Sequence, residues 1–272
     1  MRRLVILAGL ALGGCAATPA PPPHALRIAS INPCVDAVLA EVADPATIAG
    51  ISHYSQDPRA TSVPLAWARR FHATSGTAEE LVALRPDVVL AGSFLDPATE
   101  AALRRLHIPL IKYPVPQTVE GSVAQVREIA RAVGRPAAGA RLARSIEAAA
   151  RPSTTTRVPA LIWREGGMVL GSGTLADALL TRAGFDNLSV AYHMGSWGTL
   201  SLEQLIARPP RVLLSTDADE AARGVAAIHP ALRRLSGRIE VAAFPADLMN
   251  CGGPVIIRAM ARLRAIRASV PA

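Results

Sequence analysis

The 272-residue chain is poor in charged and aromatic residues, which make up 18% and 4% of it. Half of its residues are hydrophobic, which excludes a charged disordered chain and is enough for a substantial core. Its longest apolar run, residues 4–12, is too short to cross a bilayer as a mature span. We therefore expect a folded body, as one large domain or two modest lobes, and no integral membrane protein.

Lysine is almost absent: Lys112 is the single lysine among 29 basic residues, and the net charge is +8. The arginines are scattered, with short pairs such as Arg69-Arg70 and Arg233-Arg234. Phosphate backbones are bound by clustered basic faces, which this pattern does not provide. We expect no nucleic-acid partner, and at most a mild attraction to anionic partners.

The N-terminus has the parts of an export signal. Two arginines follow Met1, residues 4–12 are apolar, and two glycines precede Cys15. A cysteine in this place resembles the bacterial lipobox, so we expect a lipoprotein signal peptide over residues 1–15, lipidation of Cys15 and a Pro/Ala tether over residues 16–25. An ordinary signal peptide that contains a cysteine is the alternative. The predicted location is the periplasm, with a lipid anchor as the only attachment to a bacterial membrane.

An internal repeat relates the two halves of the chain, because residues 77–90 match residues 201–214 without a gap. Each copy begins with a hydroxyl residue and has Glu or Gln three positions later, the pattern of a capping box. A short helix, a proline that ends it and a run of branched aliphatic residues follow in both copies. Strands and helices alternate around each copy, which predicts parallel α/β units with right-handed crossovers.

The predicted fold class is therefore α/β, with two similar Rossmann-like lobes that contain parallel sheets. The lobes cover residues 26–116 and 158–267. Between them, residues 117–151 form a long helical connector, because apolar residues recur there at helical spacing and are interrupted only around Gly134 and Pro136. Ligands of open α/β sheets bind at the carboxyl ends of the strands, so we expect a ligand cleft between the lobes.

Loops that follow predicted strands are the candidates for the cleft. They are residues 32–34, 52–58, 192–198 and 247–254. Tyr54 and Trp197 are scarce aromatic residues in two of these loops, where they favour a bulky small-molecule ligand. His53 and His193 lie in the same loops as expected polar rim residues. A bare metal ion is a rival ligand, which would require His53, His193, Asp57 and Asp247 to converge on one point.

The chain resembles the periplasmic binding proteins of ABC importers for cobalamin and ferric siderophores, whose fold is called the helical-backbone metal receptor. The similarity extends over residues 26–266. The segments that carry it are residues 30–33, 50–55, 80–90, 103–109 and 201–204. The resemblance implies a binding protein without catalysis or a resident cofactor, whose cargo is a corrinoid or a ferric-siderophore chelate. A haem receptor is the alternative within the same class.

The resemblance also implies roles for individual residues. Tyr54 and Trp197 correspond to aromatic residues that face cobalamin, and Asp247 corresponds to a polar contact in the cleft. Glu79 and Glu203 correspond to carboxylates, one on each lobe, that dock onto arginines of the membrane permease. The repeat places these two glutamates at equivalent first-turn positions, where they also complement helix N-termini. We expect a monomer that delivers its cargo to a permease with a separate ATPase.

Cys34 and Cys251 depart from the family's pattern, which has a small residue and a basic residue at these positions. The resemblance places both at the mouth of the cleft, one on each lobe. They could form a disulfide, remain two unrelated thiols or bind a metal centre as thiolates. An oxidising compartment favours the disulfide, and without CxxC or HxxxH spacing a self-contained zinc site has no support.

Two enzyme classes are not supported by a complete motif. Residues 171–176 fit the G-x-G-x-x-A dinucleotide pattern, but no acidic residue follows at the end of a second strand. A hydrolase of the G-x-S-x-G type lacks its motif. We therefore predict that the protein is not an enzyme, and a nucleotide-dependent enzyme is the alternative from another functional class.

Overall fold

The computed structural model describes residues 26–271. The predicted signal peptide, the tether over residues 16–25 and the lipidation site Cys15 lie outside the described residues. Within residues 26–271, no helix is both long enough and apolar enough to cross a membrane.

The first lobe is a parallel sheet covered by helices. Its strands are β1 (Ile28–Ser30), β2 (Ile48–Ser52), β3 (Ala73–Thr74), β4 (Val88–Gly92) and β5 (Leu110–Tyr113). Its helices are α1 (Pro33–Val42), α2 (Leu65–Ala68), α3 (Ala78–Leu84) and α4 (Pro97–Arg105). The strand order is β3-β2-β1-β4-β5, and every neighbouring pair is parallel. All carboxyl ends therefore lie at one edge of the sheet.

Helix α1 begins directly after β1, and its sequence explains the start. The side chain of Asn32 accepts a hydrogen bond from the backbone N–H of Cys34 at 2.8 Å, which is the geometry of an N-cap. Pro33 occupies the first helical position, where its missing N–H has no effect on the helix. The first turn of α1, including Cys34, is thereby fixed at the carboxyl edge of the sheet.

The connector is helical and is interrupted around Gly134, as predicted. It consists of α5 (Val119–Ala132) and α6 (Pro136–Ala149). Gly134 adopts a positive φ of 70° between them, a conformation that glycine allows without strain. The helices pack closely, since a Cβ on Gly139 would lie 2.2 Å from the Cβ of Ala130. The two helices therefore fold back on each other.

The second lobe is built around a mixed sheet. Its strands are β6 (Val158–Trp163), β7 (Met168–Leu170), β8 (Phe185–Asn187), β9 (Trp197–Thr199), β10 (Val212–Ser215) and β11 (Glu240–Ala243). Its helices are α7 (Leu175–Ala183), α8 (Leu202–Ala207), α9 (Ala218–Arg223), α10 (Val225–Ile228) and α11 (Val255–Ser269). The order is β11-β10-β6-β7-β9, and β8 also pairs with β6.

The prediction of a parallel sheet is confirmed for most of this lobe and wrong for one edge. Strands β8, β6, β10 and β11 are parallel, whereas β7 is antiparallel to both β6 and β9. The reason lies in Gly166 and Gly167, whose φ values of 72° and 79° turn the chain back after β6. A Gly-Gly pair between short apolar runs is a hairpin signal.

The repeat is visible in the structure as equivalent helix starts with different side-chain partners. Ser201 and Gln204 form the complete capping box that the pattern predicts. Thr77 accepts the N–H of Glu80 at 3.4 Å, but the Glu80 carboxylate instead accepts the Thr74 hydroxyl at 2.7 Å. That hydroxyl is the main reason that the pKa of Glu80 lies below its usual value. The first-lobe box is therefore only half formed.

One apolar cluster runs through both lobes and the connector. It includes Val38 of α1, Val126 of α5, Ile146 of α6 and Met260 of α11, each 2% exposed or less. Burial of this kind stabilises a fold in proportion to the apolar area removed from water. The lobes therefore share a core and do not behave as two separately packed domains.

Candidate functional site

The carboxyl edges of the two sheets border one cavity of about 480 Å³. The first lobe contributes residues from the loops after β1, β2, β4 and β5, and the connector contributes Gln125. The second lobe contributes Leu170, residues 173–176, Ser196 and residues 249–252. The cavity volume lies within the range of small-molecule sites in proteins. The predicted position of the ligand site, between the lobes at the strand ends, matches this cavity.

The wall of the cavity carries no formal charge. Among residues 26–271, none of those that line it is Asp, Glu, Lys, Arg or His. Its polar side chains are neutral amides and hydroxyls, and they include Asn32, Gln117, Gln125, Asn250, Ser93, Thr174 and Ser196. The rest of the wall is apolar, and includes Phe94, Val115, Leu170, Leu175 and Met249. Such a surface suits a bulky neutral molecule that offers both apolar faces and hydrogen-bonding groups.

Cys34 and Cys251 form a disulfide in the wall of this cavity. The bridge joins residues 217 positions apart, with their Cα atoms 5.1 Å from each other. It links the first turn of α1 to the loop that precedes α11. Of the three alternatives that the sequence left open, the structure contains the disulfide.

Hydrogen bonds also join the second lobe to the first lobe and to the connector. The hydroxyl of Ser62 donates to the carbonyl of Asp247 at 3.0 Å, and the Arg258 guanidinium donates to the carbonyl of Ser62 at 2.8 Å. The N–H of Gly253 donates to the hydroxyl of Ser122 on α5 at 2.7 Å. These bonds, the disulfide and the shared core fix the two sheet edges relative to each other.

Tyr54 lines the cavity, as the sequence interpretation requires of a ligand-contacting residue. It lies in a short 3₁₀ turn, His53–Gln56, and is half exposed. The ring of His53 packs against that of Tyr54 with centroids 4.0 Å apart, and His53 Nδ1 lies 3.2 Å from the carbonyl oxygen of Thr74. His53 therefore supports Tyr54 and does not itself line the cavity.

The buried side chain of Asp36 forms hydrogen bonds to the loop that contains Tyr54. Its Oδ2 accepts the backbone N–H of Ser52 at 3.0 Å and the hydroxyl of Ser55 at 2.6 Å, on either side of Tyr54. Its Oδ1 has no hydrogen-bond partner among the described residues. Burial raises the pKa of Asp36 to about 7, although the hydrogen bonds to the carboxylate oppose this shift. A buried carboxyl group thus controls the position of the Tyr54 loop.

The other predicted ligand residues do not line the cavity. Trp197 is 67% exposed on the edge strand β9, next in sequence to Ser196, which does line it. His193 is exposed and has a left-handed backbone, with a φ of 56°. Asp247 pairs with Arg258 at 3.1 Å and lines a separate groove of about 490 Å³. The structure therefore places Tyr54 and the two cysteines together, and His193 and Asp247 elsewhere.

Several cavity residues are absent from the sequence prediction. Phe94 follows β4, and Val115 and Gln117 follow β5, so the rule of strand carboxyl ends could have found them. Gln125 lies on α5, where only its neighbourhood in the folded chain reveals it. Its amide donates to the Pro114 carbonyl at 2.7 Å, which orients it at the connector side of the cavity.

The glycine pattern at residues 171–176 has a packing explanation. A Cβ on Gly171 would lie 1.7 Å from the carbonyl oxygen of Gly195, so only glycine allows the two segments to approach. The N–H of Gly171 donates to the Ser196 carbonyl at 2.9 Å across this contact. Strand β7 before it is antiparallel to its neighbours, whereas the dinucleotide motif needs a parallel βαβ unit. The pattern therefore does not indicate a nucleotide site.

The residues proposed for a bare metal ion do not converge. Within residues 26–271, no group of three or more His, Cys, Asp or Glu residues is placed to hold one metal ion. Asp57 accepts the N–H of Arg59 and lies 3.8 Å from its guanidinium, and Asp247 pairs with Arg258. Both carboxylates thus have local partners.

Removal of the disulfide tests the link between the lobes. We expect the variant Cys34→Ala/Cys251→Ala to lose about 2–5 kcal/mol of unfolding free energy, because the unfolded chain gains freedom when a long loop is opened. Urea denaturation measures this change. A reducing agent should destabilise the wild type to a similar extent and leave the double variant unaffected. Equal stability of the wild type with and without reductant, after its bridge is shown to be reduced, contradicts the proposed link.

The raised pKa of Asp36 predicts a pH dependence of stability. Because the folded pKa exceeds the unfolded value of 3.8, the contribution of Asp36 is fully present below pH 3.8 and is lost as the pH rises through about 7. Asp36→Asn keeps an oxygen that can accept from Ser52 and Ser55, and should remove this part of the decline. Urea denaturation at several pH values measures it, with exposed Glu128→Gln as the control. An unchanged pH slope in Asp36→Asn overturns the assignment.

Comparisons with known proteins identify the family. The model of the family described as periplasmic binding protein matches residues 28–234. A cobalamin-binding protein of Halobacterium salinarum is 25% identical over 255 residues, which cover 87% of this chain and 68% of that protein.

Solved structures share the fold. The haem-binding protein HutB of Vibrio cholerae has a TM-score of 0.73 and 17% identity, over 89% of this chain and 98% of its own. The vitamin B12 binding protein BtuF of Vibrio cholerae has a TM-score of 0.68 and 17% identity, over 90% and 98%. The haem-binding protein RhuT of Roseiflexus sp. RS-1 has a TM-score of 0.67 and 23% identity, over 89% and 98%. Since the family model matches more than half of the chain, the protein belongs to the periplasmic binding protein family.

Proposed function

We propose that the protein is the substrate-binding component of an ABC importer, that its cargo is a metal chelate of the corrinoid type, and that it makes or breaks no bond. Binding proteins of this family act outside the cytoplasm and deliver their ligands to ABC permeases. The cavity between the lobes is the binding site in this proposal. Lipid anchoring through Cys15 and a monomeric state remain predictions from the sequence.

The uncharged wall of the cavity is the observation that carries the choice of cargo. A corrinoid carries neutral amide groups around its ring, and the side chains of Asn32, Gln117, Gln125 and Asn250 offer matching donors and acceptors. Many ferric siderophores carry net negative charge, which the wall would leave without a paired cation. A corrinoid therefore fits better than the ferric siderophore that the sequence left equally open.

Haem is the second candidate, because of Tyr54. A tyrosine oxygen is an established axial ligand of haem iron, and Tyr54 is half exposed in the cavity. HutB and RhuT, which share the fold, are described as haem-binding proteins. The two carboxylates of haem would have to extend out of the uncharged cavity into solvent. Because of this requirement, haem is a less favourable candidate than a corrinoid.

The geometry of Glu79 and Glu203 supports the proposed permease docking. Both are exposed at the second position of equivalent helices, α3 and α8. Strands β3 and β9, which precede these helices, run in the same sense as the parallel strands of their sheets. Each glutamate therefore follows the carboxyl end of a strand, at the sheet edge of its lobe that also borders the cavity. One permease could then accept a carboxylate from each lobe.

The cargo assignment predicts which ligands stabilise the protein. Cyanocobalamin and cobinamide should raise the melting temperature, and raise it further at higher ligand concentration, because a ligand that binds only the folded state stabilises it by mass action. Differential scanning fluorimetry measures the shift. Haem and an anionic ferric siderophore are tested in the same way as alternative ligands. A shift with haem alone supports the second candidate. The proposal of a metal-chelate receptor fails when none of the four ligands produces a shift.

The docking assignment predicts a transport defect without a binding defect. Glu79→Arg/Glu203→Arg should abolish uptake of cargo in cells and leave its dissociation constant unchanged, because both residues are outside the cavity. The control is Glu128→Arg/Asp219→Arg, which makes the same change in net charge at exposed positions of α5 and α9. Normal uptake in the Glu79/Glu203 variant refutes the docking role.

A further inference from the structure

Phe94 is the most exposed large apolar side chain of the described residues, at 95% exposure. It lies in the loop after β4, and Val115, which is 73% exposed, lies in the loop after β5. Gly92 and Tyr113 pair in the sheet register, and Phe94 and Val115 each follow two residues later. The two side chains therefore belong to neighbouring strand ends, and both line the cavity.

Neither residue contributes to the folded core. Phe94 and Val115 are missing from all three buried apolar clusters of residues 26–271 and from the residues packed against them. Single exposed apolar residues are common, but two that are adjacent and border a ligand cavity indicate a binding surface. Their exposure has a simple explanation if a ligand covers them.

Other segments contribute apolar side chains to the same cavity. Leu170, Leu175 and Ala176 of the second lobe line it, and Tyr54 lines it from the first lobe. A flat molecule bound between the lobes could place its faces against apolar side chains of both lobes. Its polar edge would then reach amides such as Gln125 on the connector and Asn250 before α11.

We propose that Phe94 and Val115 form an apolar ledge that contacts the face of the bound cargo, and that Phe94 supplies most of this contact. The proposal rests on the proposed function, since it concerns the same cavity. The family resemblance implies that Tyr54 and Trp197 contact the cargo. The present proposal assigns a role in specificity to two other residues. The ledge favours cargo with a large apolar face and disfavours compact polar chelates.

Titration calorimetry with cyanocobalamin tests the ledge. Phe94→Ala should weaken binding about ten- to hundredfold, the effect expected when a cargo no longer buries a phenyl ring, and Val115→Ala should weaken it less. Phe94→Leu should retain part of the affinity. The matched control is Leu106→Ala, since Leu106 is 54% exposed in the same lobe and does not line the cavity. The melting temperature of the unliganded Phe94→Ala variant should equal that of the wild type, because the ring is outside the core.

The outcomes separate this inference from the proposed function. When the wild type binds cyanocobalamin and Phe94→Ala binds it equally well, the ledge is refuted and the proposed function stands. An unchanged dissociation constant together with lost uptake would also refute it, and would assign Phe94 to the permease contact. Absence of binding by the wild type contradicts the proposed corrinoid cargo itself, and the ledge with it.

Discussion

The fixed position of one sheet edge relative to the other is the constraint on which the cavity depends. The disulfide between Cys34 and Cys251 joins these edges directly, and the shared core through α1, α5, α6 and α11 supports it. The bond from Gly253 to Ser122 adds a link to the connector. With these connections the lobes have little freedom to separate, so the cavity is largely formed before cargo arrives. A preformed site reduces the ordering that binding requires.

Charged side chains are distributed unevenly between the cavity wall and the rest of the protein. The chain has a net charge of +8, yet the cavity wall of the described structure contains no charged side chain. The charged side chains of the described residues lie elsewhere: Glu79 and Glu203 are exposed to solvent, for example, whereas Asp36 is buried next to the Tyr54 loop. The proposed function therefore assigns cargo selection to neutral groups of the cavity and permease recognition to exposed carboxylates outside it.

Much of the fold could be predicted from local sequence patterns. These patterns occur in both halves of the chain, and each depends on only a few neighbouring residues. The capping residues Thr77 and Ser201 and the start of α1 at Pro33 follow from short-range rules. The antiparallel edge of the second sheet escaped prediction, although Gly166 and Gly167 signalled a turn. Site residues were harder to predict, because a loop sequence does not show which side chains face the cavity. Tyr54 lines it, Asp247 instead pairs with Arg258, and Gln125 reaches it only through the packing of α5.

In the proposed function, an uncharged cargo binds in the uncharged cavity between the lobes. The dependence of cyanocobalamin affinity on ionic strength tests it most directly, because this ligand carries no net charge and salt screens only interactions between charges. Titration calorimetry from about 20 mM to about 500 mM salt, where the Debye length falls severalfold, should give one bound ligand per chain and an unchanged dissociation constant. Affinity that falls steeply with salt, or no saturable binding at any salt concentration, would contradict binding of an uncharged corrinoid in this cavity.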